Sequence, residues 1–329
     1  MMVMVVVLGI AASASFYWVL GELFVEREAA LADERRGVRW VGQVPCGQLG
    51  NHLWEMASGH GIARARNASW CIAFPRASYM AALEWVVAEE APVACPGWVW
   101  GAPSLASDLY HLSRFKVVGQ PDTLHYARYR PDVYVDAPAP NILAQGCLQS
   151  WRYLDPVTPI PFRLKAMDAA GEWVAARGLT AAIHVRRGDK VVGDDNNNVP
   201  PPLRYYRMAM AELQRQFPSP AAQRYVVVTD DPEWVRAQPF FIAHTHALLS
   251  RREDPAFDMA VIARCRHKIL SIGTFGWWGA FFTDPGHNRT QAVLYPTPQM
   301  RDAAGFGNAD YFPPHWTALA HDGTAEAEL

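Results

Sequence analysis

Two neighbouring arginines, with a histidine before them and an aspartate after them, are the residues of this chain best suited to chemistry. His184, Arg186, Arg187 and Asp189 lie at the end of the apolar run Ala181–Val185, a pattern that predicts a buried strand ending in charged groups. Adjacent guanidinium groups bind a diphosphate through several charge-assisted hydrogen bonds and need no metal ion to do so. We therefore expect a phosphate site here, although RRGD alone also fits a surface ion pair.

Two later predicted strands, Arg224–Thr229 and Lys268–Ile272, also end in polar loops. The pattern of this half of the chain predicts helices over Phe162–Arg177, Leu203–Gln216 and Asp254–His267. Because strands alternate with helices, we predict a parallel, doubly wound α/β sheet whose strand ends share one edge, so that the three loops converge. Ser271–Gly276 offers hydroxyls and backbone N–H groups at a helix start. Asp258, on the preceding helix, is suited to accept hydrogen bonds from a purine. Both features also fit ordinary helix capping.

A strand, a glycine-containing turn and a helix follow one another near the amino end of the predicted body, at Val41–Cys46, Gly47–His52 and onward to about Arg66. This layout brings backbone N–H groups and a helix amino end to an anion or a sugar, and it also fits a simple tight connection. We predict Gly47 and Asn51 as substrate contacts.

Length and composition limit the fold and the function. The 329 residues are half hydrophobic and 19% charged, which predicts two folded domains, and the formal net charge of −2 excludes a nucleic-acid-binding protein. We place a domain boundary at the proline-rich stretch Asp155–Pro161. The predicted divisions are an anchor and stem over 1–40, an acceptor-side domain over 41–160, a nucleotide-binding domain over 161–320 and a tail over 321–329.

The first 21 residues contain no charged side chain and are long enough to cross a bilayer as a helix. They predict either an uncleaved membrane anchor or a signal peptide cut near Ala12–Ala14. We favour the anchor because the apolar run continues through Phe16–Leu20. Asn67 and Asn288 each begin an acceptor sequon, which predicts N-glycosylation of a lumenal body.

The cysteines and acidic pairs do not predict a metal site. The five cysteines form no CxxC pair, so we expect no zinc site but one or two disulfides and one free thiol, with the pairing open. Asp194–Asn198 and Asp230–Asp231 carry oxygen ligands that suit Mg²⁺. We interpret them as a polar loop and a strand-end turn.

Taken together, the motifs resemble the α-1,2-fucosyltransferases that use GDP-fucose, glycosyltransferase family 11. The resemblance runs from about Val41 to Trp316 and is carried by these motifs: GQLGNHLWEMA at 47–57, LQSW at 148–151, HVRRGD at 184–189, VVTDDPEW at 227–234, DMAVIARCRHKILSIGTFGWWGAFF at 258–282 and FPPHW at 312–316. One departure is Gln48, where this family commonly has Arg.

The resemblance implies a fold, a location and a reaction. The implied fold is GT-B-like, with two Rossmann-like domains and a cleft between them, behind an N-terminal transmembrane helix and stem. The implied location is the Golgi membrane, as a single-pass type II protein with a lumenal catalytic body. The implied reaction is inverting and metal-independent, without a cofactor, and moves L-fucose from GDP-β-L-fucose to the 2-OH of a galactose-containing glycan.

The resemblance also implies roles for individual residues. His184 and Asp258 would hold guanine, Arg186 would bind the β-phosphate and stabilise its developing charge, and Arg187 would support the loop or the phosphate. Thr274 and Phe275 would line the diphosphate.

The general base stays open among Asp189, Glu55 and His52, and we count Asp189 and Glu55 with Arg186 as catalytic candidates. Two other functions also stay open: a membrane-tethered glycan- or nucleotide-binding protein without turnover, and a fucosyltransferase of another linkage.

Overall fold

The fold was analysed in a computed structural model of the chain. The structure describes residues 35–43, 47–72, 77–86, 93–94, 115–119, 127–154, 160–191, 198–218, 223–249, 254–283, 291–300 and 307–321. The predicted anchor (Met1–Gly21), the sequon at Asn288, Asp194–Asn197 and most of the Asp155–Pro161 boundary lie outside these ranges. Within them, no helix combines the length and the apolar character needed to cross a membrane.

The described strands form two parallel sheets and one antiparallel pair. The first sheet has the order β4-β2-β1-β6-β5, the second has the order β10-β9-β8-β11-β12-β13, and β3 pairs with β7. The strands are β1 Trp40–Gln43, β2 Ser69–Ile72, β3 Leu83–Trp85, β4 Val93–Ala94, β5 Phe115–Gly119, β6 Asn141–Gln145, β7 Phe162–Leu164, β8 Ala181–Val185, β9 Tyr225–Thr229, β10 Thr245–Leu249, β11 His267–Ile269, β12 Val293–Thr297 and β13 Thr317–Ala320.

Helices connect the strands, as parallel pairing requires. Two of them, α7 and α9, begin with an aspartate cap followed by proline, because Asp231 and Asp254 accept the N–H groups of Trp234 and Phe257, each at 3.0 Å. The described helices are α1 Leu49–Ala65, α2 Ala77–Ala81, α3 Pro131–Tyr134, α4 Met167–Ala176, α5 Gly188–Val191, α6 Leu203–Gln216, α7 Pro232–Ala237, α8 Pro239–His244, α9 Pro255–Arg264, α10 Thr274–Phe281 and α11 Asn308–Tyr311, with a 3₁₀ turn at Trp151–Tyr153.

The second sheet confirms the predicted parallel, doubly wound arrangement. Numbered from its first strand, its order reads 3-2-1-4-5-6, which is the Rossmann order with its reversal between β8 and β11. All five residues of β8 and of β9 are buried. Because β9 and β11 flank β8 directly, the three loops predicted to converge do lie side by side at one edge.

The predicted helix over Phe162–Arg177 is wrong in its first part. Phe162 and Leu164 are buried while Arg163 between them is exposed, and this alternation belongs to β7, which pairs with β3 about 80 residues earlier in the chain. The helix begins only at Met167. The predicted helix over Asp254–His267 also ends early, since His267 opens β11.

Helix α1 joins the amino-terminal sheet to the Rossmann-type sheet. Trp54 is fully buried, with its ring centroid 4.1 Å from that of Trp277 and 5.4 Å from that of Trp278, both on α10. At the other end of α1, the Arg66 guanidinium donates to the carbonyls of Tyr134, Val135, Ala137 and Ala139. One continuous apolar core therefore runs through both halves of the described chain.

The cysteines agree with the expectation of disulfides and one free thiol. Cys71 and Cys147 are each disulfide-bonded, and Cys265 is free and buried. Burial raises the pKa of the Cys265 thiol to about 12, so it stays protonated at neutral pH. Cys46 and Cys95 lie outside the described residues.

Candidate active site

Arg186 projects from the carboxyl end of β8 into a group of carboxylates. Its Nη1 contacts Oδ2 of Asp230, at the end of β9, and its Nη2 lies 2.6 Å from Oδ1 of Asp189. The Arg186 side chain keeps 26% of its surface exposed. The structure therefore holds this guanidinium in one orientation at the sheet edge, with part of it open to a ligand.

Arg187 is held by the same strand-end loop. Its backbone N–H donates to Oδ1 of Asp230 at 2.9 Å, and its Nε lies 3.6 Å from Oδ2 of Asp231. The guanidinium carbon lies 4.0 Å from the ring centroid of Trp234, within the range of a cation–π contact. Arg187 thus packs against the α7 side of the loop, in keeping with the predicted support of the loop.

Asp230 is a residue of the candidate site that the sequence alone did not indicate. Its two oxygens bind the Arg186 side chain and the Arg187 backbone, and it belongs to the acidic pair considered above only as a possible metal ligand or a turn. Within the described residues no group of three His, Cys, Asp or Glu side chains is arranged to hold a metal ion. The pairing of Asp230 with Arg186 becomes evident only in the structure, where β9 lies beside β8. The predicted convergence of the two strand-end loops is the sequence signal that could have indicated it.

His184 is a buried histidine at the carboxyl end of β8. The side chain is buried, and its Nδ1 has no hydrogen-bond partner among the described residues. Burial lowers the pKa of His184 to about 4; the nearby Asp230 opposes this shift and Arg186 adds to it. The imidazole is therefore neutral at physiological pH, and one ring nitrogen is then an acceptor and the other a donor.

The first turn of α10 packs directly on His184. The Phe275 ring centroid lies 5.7 Å from that of His184, and a Cβ added to Gly276 would overlap the His184 ring at Nδ1. Only glycine leaves room for the imidazole at this point. Asp258 is likewise buried, on α9, which packs against both β8 and α10. The structure thus places His184, Phe275 and Asp258 around the same part of the sheet.

Thr274 links α10 to the amino-terminal half of the chain. Its hydroxyl donates to Oδ1 of Asn51 at 2.8 Å, and the same oxygen accepts from Nε2 of Gln149 at 3.3 Å. Gly50 lies so close that an added Cβ would be 2.6 Å from the Thr274 hydroxyl oxygen. The amino ends of α1 and α10 therefore meet, and both direct the positive ends of their dipoles at this region.

The other predicted residues of the amino-terminal motif lie on α1 or just before it. Gly47 has a φ of +64°, which favours glycine, and lies against the Asn51 side chain. Glu55 and His52 are both buried, whereas Asp189 has 61% of its side chain exposed. Asp189 is thus the most accessible of the three candidate bases, and the choice among them stays a prediction.

A buried hydroxyl chain supports the backbone of Arg186 from behind the sheet edge. The Tyr206 hydroxyl donates to the Ser271 hydroxyl at 3.3 Å, which donates to the Arg186 carbonyl at 3.4 Å. Burial raises the pKa of Tyr206 well above its usual value, so the phenol remains a donor. Tyr206 was not predicted, because nothing in the sequence links α6 to this loop.

Replacing Gly276 by alanine is expected to destabilise the protein, although alanine favours helix formation. The new methyl group must displace His184 from its buried position, and overpacking of this kind costs about 1–3 kcal/mol. Urea unfolding measures the change. Gly171→Ala in α4, where the added Cβ would meet only the Arg264 side chain, is the matched control and should change stability by less than about 1 kcal/mol. A Gly276→Ala protein as stable as wild type would contradict the packing described.

The free energy of unfolding is expected to decrease as the pH is lowered from about 6.5 to about 4. Burial holds the pKa values of both His184 and His267 at about 4 in the folded chain, while the unfolded chain takes up these protons near pH 6.5. Each proton contributes a slope of up to about 1.4 kcal/mol per pH unit. His184→Gln should reduce the slope of urea-unfolding free energy against pH, and His244→Gln, at an exposed position, should not. An unchanged slope in His184→Gln would exclude this account.

Comparison with known proteins concerns mainly the part of the chain that carries the candidate site. Residues 174–320 match the family model "Glycosyl transferase family 11", a segment that includes β8, β9, β11 and α10. The chain is 29% identical over 150 residues to galactoside alpha-(1,2)-fucosyltransferase 2 of Gorilla gorilla gorilla, covering 44% of this chain and 42% of that protein. It is 27% identical over 144 residues to galactoside 2-alpha-L-fucosyltransferase Sec1 of Mus musculus, covering 43% and 38%.

The chain thus spans less than half the length of these relatives. Among solved structures, the NodZ alpha-1,6-fucosyltransferase co-crystallized with GDP has a TM-score of 0.48 and 16% identity, covering 74% of this chain and 92% of that one. The family match spans the strand, the loops and the helices that carry His184, Arg186, Asp258 and Thr274, and it covers a little less than half of this chain. Residues 174–320 of this chain are therefore similar to glycosyl transferase family 11.

Proposed function

We propose that this protein is a glycosyltransferase that moves L-fucose from GDP-β-L-fucose to the 2-OH of a terminal galactose-like residue, with inversion and without a metal ion. The observation that carries the proposal is the position of Arg186, which is partly exposed at the reversal point of a Rossmann-ordered sheet inside the family 11 segment. Ligands of open α/β sheets bind at such reversal points. The names of the relatives support the transfer of fucose to a galactoside and the α-1,2 linkage.

The nucleotide end of the donor would lie over β8 and α9. His184 is neutral and buried, with Nδ1 unsatisfied, and Asp258 is a buried carboxylate on the adjacent helix. A purine that presents a ring N–H and an amino group is complementary to a carboxylate acceptor. We assign guanine to this pair and the diphosphate to Arg186 and the first turn of α10.

To catalyse this reaction, the protein must stabilise the departing GDP. As the bond between fucose C1 and the diphosphate oxygen breaks, negative charge grows on the phosphate and positive charge on the sugar ring. A fixed guanidinium and the amino end of α10 stabilise that charge more strongly in the transition state than in the ground state. Arg186 supplies the cation from the protein itself, and for this reason we propose that no divalent metal is required.

The acceptor would approach from the amino-terminal half of the chain. Asn51 and Gln149 lie where this half meets α10, so an acceptor bound there faces the sugar on the diphosphate. The acceptor hydroxyl oxygen forms the new bond to C1 and its proton passes to a base, for which Asp189, Glu55 and His52 remain the candidates. The GT-B-like division into two Rossmann-like domains is part of this proposal.

Arg186→Ala should lower the rate of fucose transfer by at least about a hundredfold, because removal of one transition-state donor costs about 2.7–4 kcal/mol. The measurement is transfer from GDP-fucose to an array of galactose-terminated acceptors, with and without EDTA. Wild-type activity should survive the chelator.

Arg163→Ala is the matched control, since this arginine lies on β7 and forms an exposed ion pair with Glu84. It should keep wild-type activity. Near-normal transfer by Arg186→Ala would refute the phosphate assignment, and loss of wild-type activity in EDTA would refute the metal-independent reaction. Binding of GDP-fucose without any transfer would favour a binding protein instead.

We further propose that the catalytic body is lumenal, on a Golgi protein with a single amino-terminal anchor. Asn67 is exposed just after the end of α1, with a φ of +50°, and Ser69 of its sequon is also exposed. An accessible sequon of this kind fits glycan attachment in the secretory pathway. Protein expressed in animal cells should lose mass when it is treated with a peptide-N-glycosidase, which removes N-linked glycans. Asn67→Gln should lose less mass, by the amount of one glycan. An identical shift in Asn67→Gln would count against glycosylation at this site.

A further inference from the structure

The two carboxylates that contact Arg186 are held in very different ways. Asp230 contacts Nη1 and has 21% of its side chain exposed, whereas Asp189 contacts Nη2 and has 61% exposed. A guanidinium can bind two anions on separate edges. The difference in exposure indicates that the two contacts do not have the same role.

Asp230 is held through both of its carboxylate oxygens. While Oδ2 binds Arg186, Oδ1 accepts the Arg187 N–H at 2.9 Å. Gly188 passes so close that an added Cβ would overlap the carboxylate. Moving Asp230 would break a charge-assisted hydrogen bond to the backbone as well as the ion pair, so this carboxylate stays with Arg186 when a ligand binds.

Asp189 has far less to hold it. It lies on the single-turn helix α5, Gly188–Val191, and its second contact is with Lys190 Nζ at 3.5 Å, from the next residue in the chain. An exposed ion pair of this type contributes about 0–1 kcal/mol. A side chain so placed can rotate into solvent at little cost.

We propose that Asp189 is an internal stand-in for the phosphate, which an incoming diphosphate displaces from Nη2 of Arg186 while Asp230 keeps Nη1. This inference rests on the proposed function only in taking the ligand to be a diphosphate. In the absence of ligand, Asp189 keeps the guanidinium neutralised and in its binding orientation. When the ligand leaves, the same carboxylate returns to Nη2 and competes against rebinding. In this role Asp189 is a positioning residue that sets how tightly the product is held, which leaves Glu55 and His52 as the candidate bases.

The stand-in role predicts opposite effects for the two aspartates. Asp189→Asn removes the competing charge, so the full-length protein should bind both inorganic pyrophosphate and GDP about twofold to fivefold more tightly, the fold-change of an exposed ion pair. Asp230→Asn removes the permanent anchor and should weaken binding of both by at least about tenfold. Isothermal titration calorimetry measures both. Asp168→Asn, an exposed aspartate paired with Arg264 at 2.9 Å, is the matched control and should bind like wild type.

The two ligands separate failure of this inference from failure of the proposed function. If wild type binds pyrophosphate but not GDP, the proposed donor is wrong while the sign of the Asp189→Asn effect on pyrophosphate still decides the stand-in role. Weaker or unchanged binding in Asp189→Asn overturns that role, and because Asp189 is at the surface this variant is expected to fold. Binding of neither ligand by wild type overturns both proposals.

Discussion

The meeting of α1 with α10 is the contact on which the rest of this molecule depends. Gly50 lets the two helices approach until Thr274 reaches Asn51 at 2.8 Å, and one turn later Trp54 lies fully buried against Trp277 and Trp278. Separating them would expose three tryptophans, each worth several kcal/mol of burial. The polar contact at the site and the apolar core beneath it are therefore parts of one interface.

That interface explains how distant parts of the sequence act at one place. Asn51 and Thr274 are 223 residues apart and meet because α1 and α10 pack together at their amino ends. Arg186 and Asp230 are 44 residues apart and meet because adjacent parallel strands bring their carboxyl ends to a common edge. Each loop is short and leaves a fully buried strand or enters a helix. The backbone under the charged groups is thus rigid, and electrostatic stabilisation needs such rigidity because mobile dipoles would reorient toward any charge.

The parts of the fold that the sequence predicted well are those with strong local patterns. Helix α6 matches its prediction, Leu203–Gln216, because its apolar positions recur at helical spacing, and β8 was clear from its continuous apolar run. Strand β7 was missed because its partner β3 lies far away in the chain. Strand β10 was missed because it is only partly buried. Neither the distant partner of β7 nor the partial burial of β10 can be recognised from the local sequence.

In the candidate site, too, the features with a local sequence pattern were predicted and those that depend on tertiary contacts were not. His184 and Arg186 were predicted from residue type and strand end, but the pairing of Arg186 with Asp230 required knowing that β9 lies beside β8. The close fit of Gly276 on His184 depends on the approach of a helix 90 residues later, which no spacing rule specifies.

A buried polar atom of the site without a hydrogen-bond partner reduces the stability of the fold, because it loses its hydration on folding. An unsatisfied buried acceptor or donor costs about 1–3 kcal/mol, and His184 retains one at Nδ1. The surrounding core tolerates this because β8 and β9 are buried at every position. A group already desolvated loses no further hydration when a ligand arrives, so its hydrogen bond to that ligand is realised almost in full. The unsatisfied Nδ1 of His184 is therefore a group that the proposed purine would meet without a further loss of hydration.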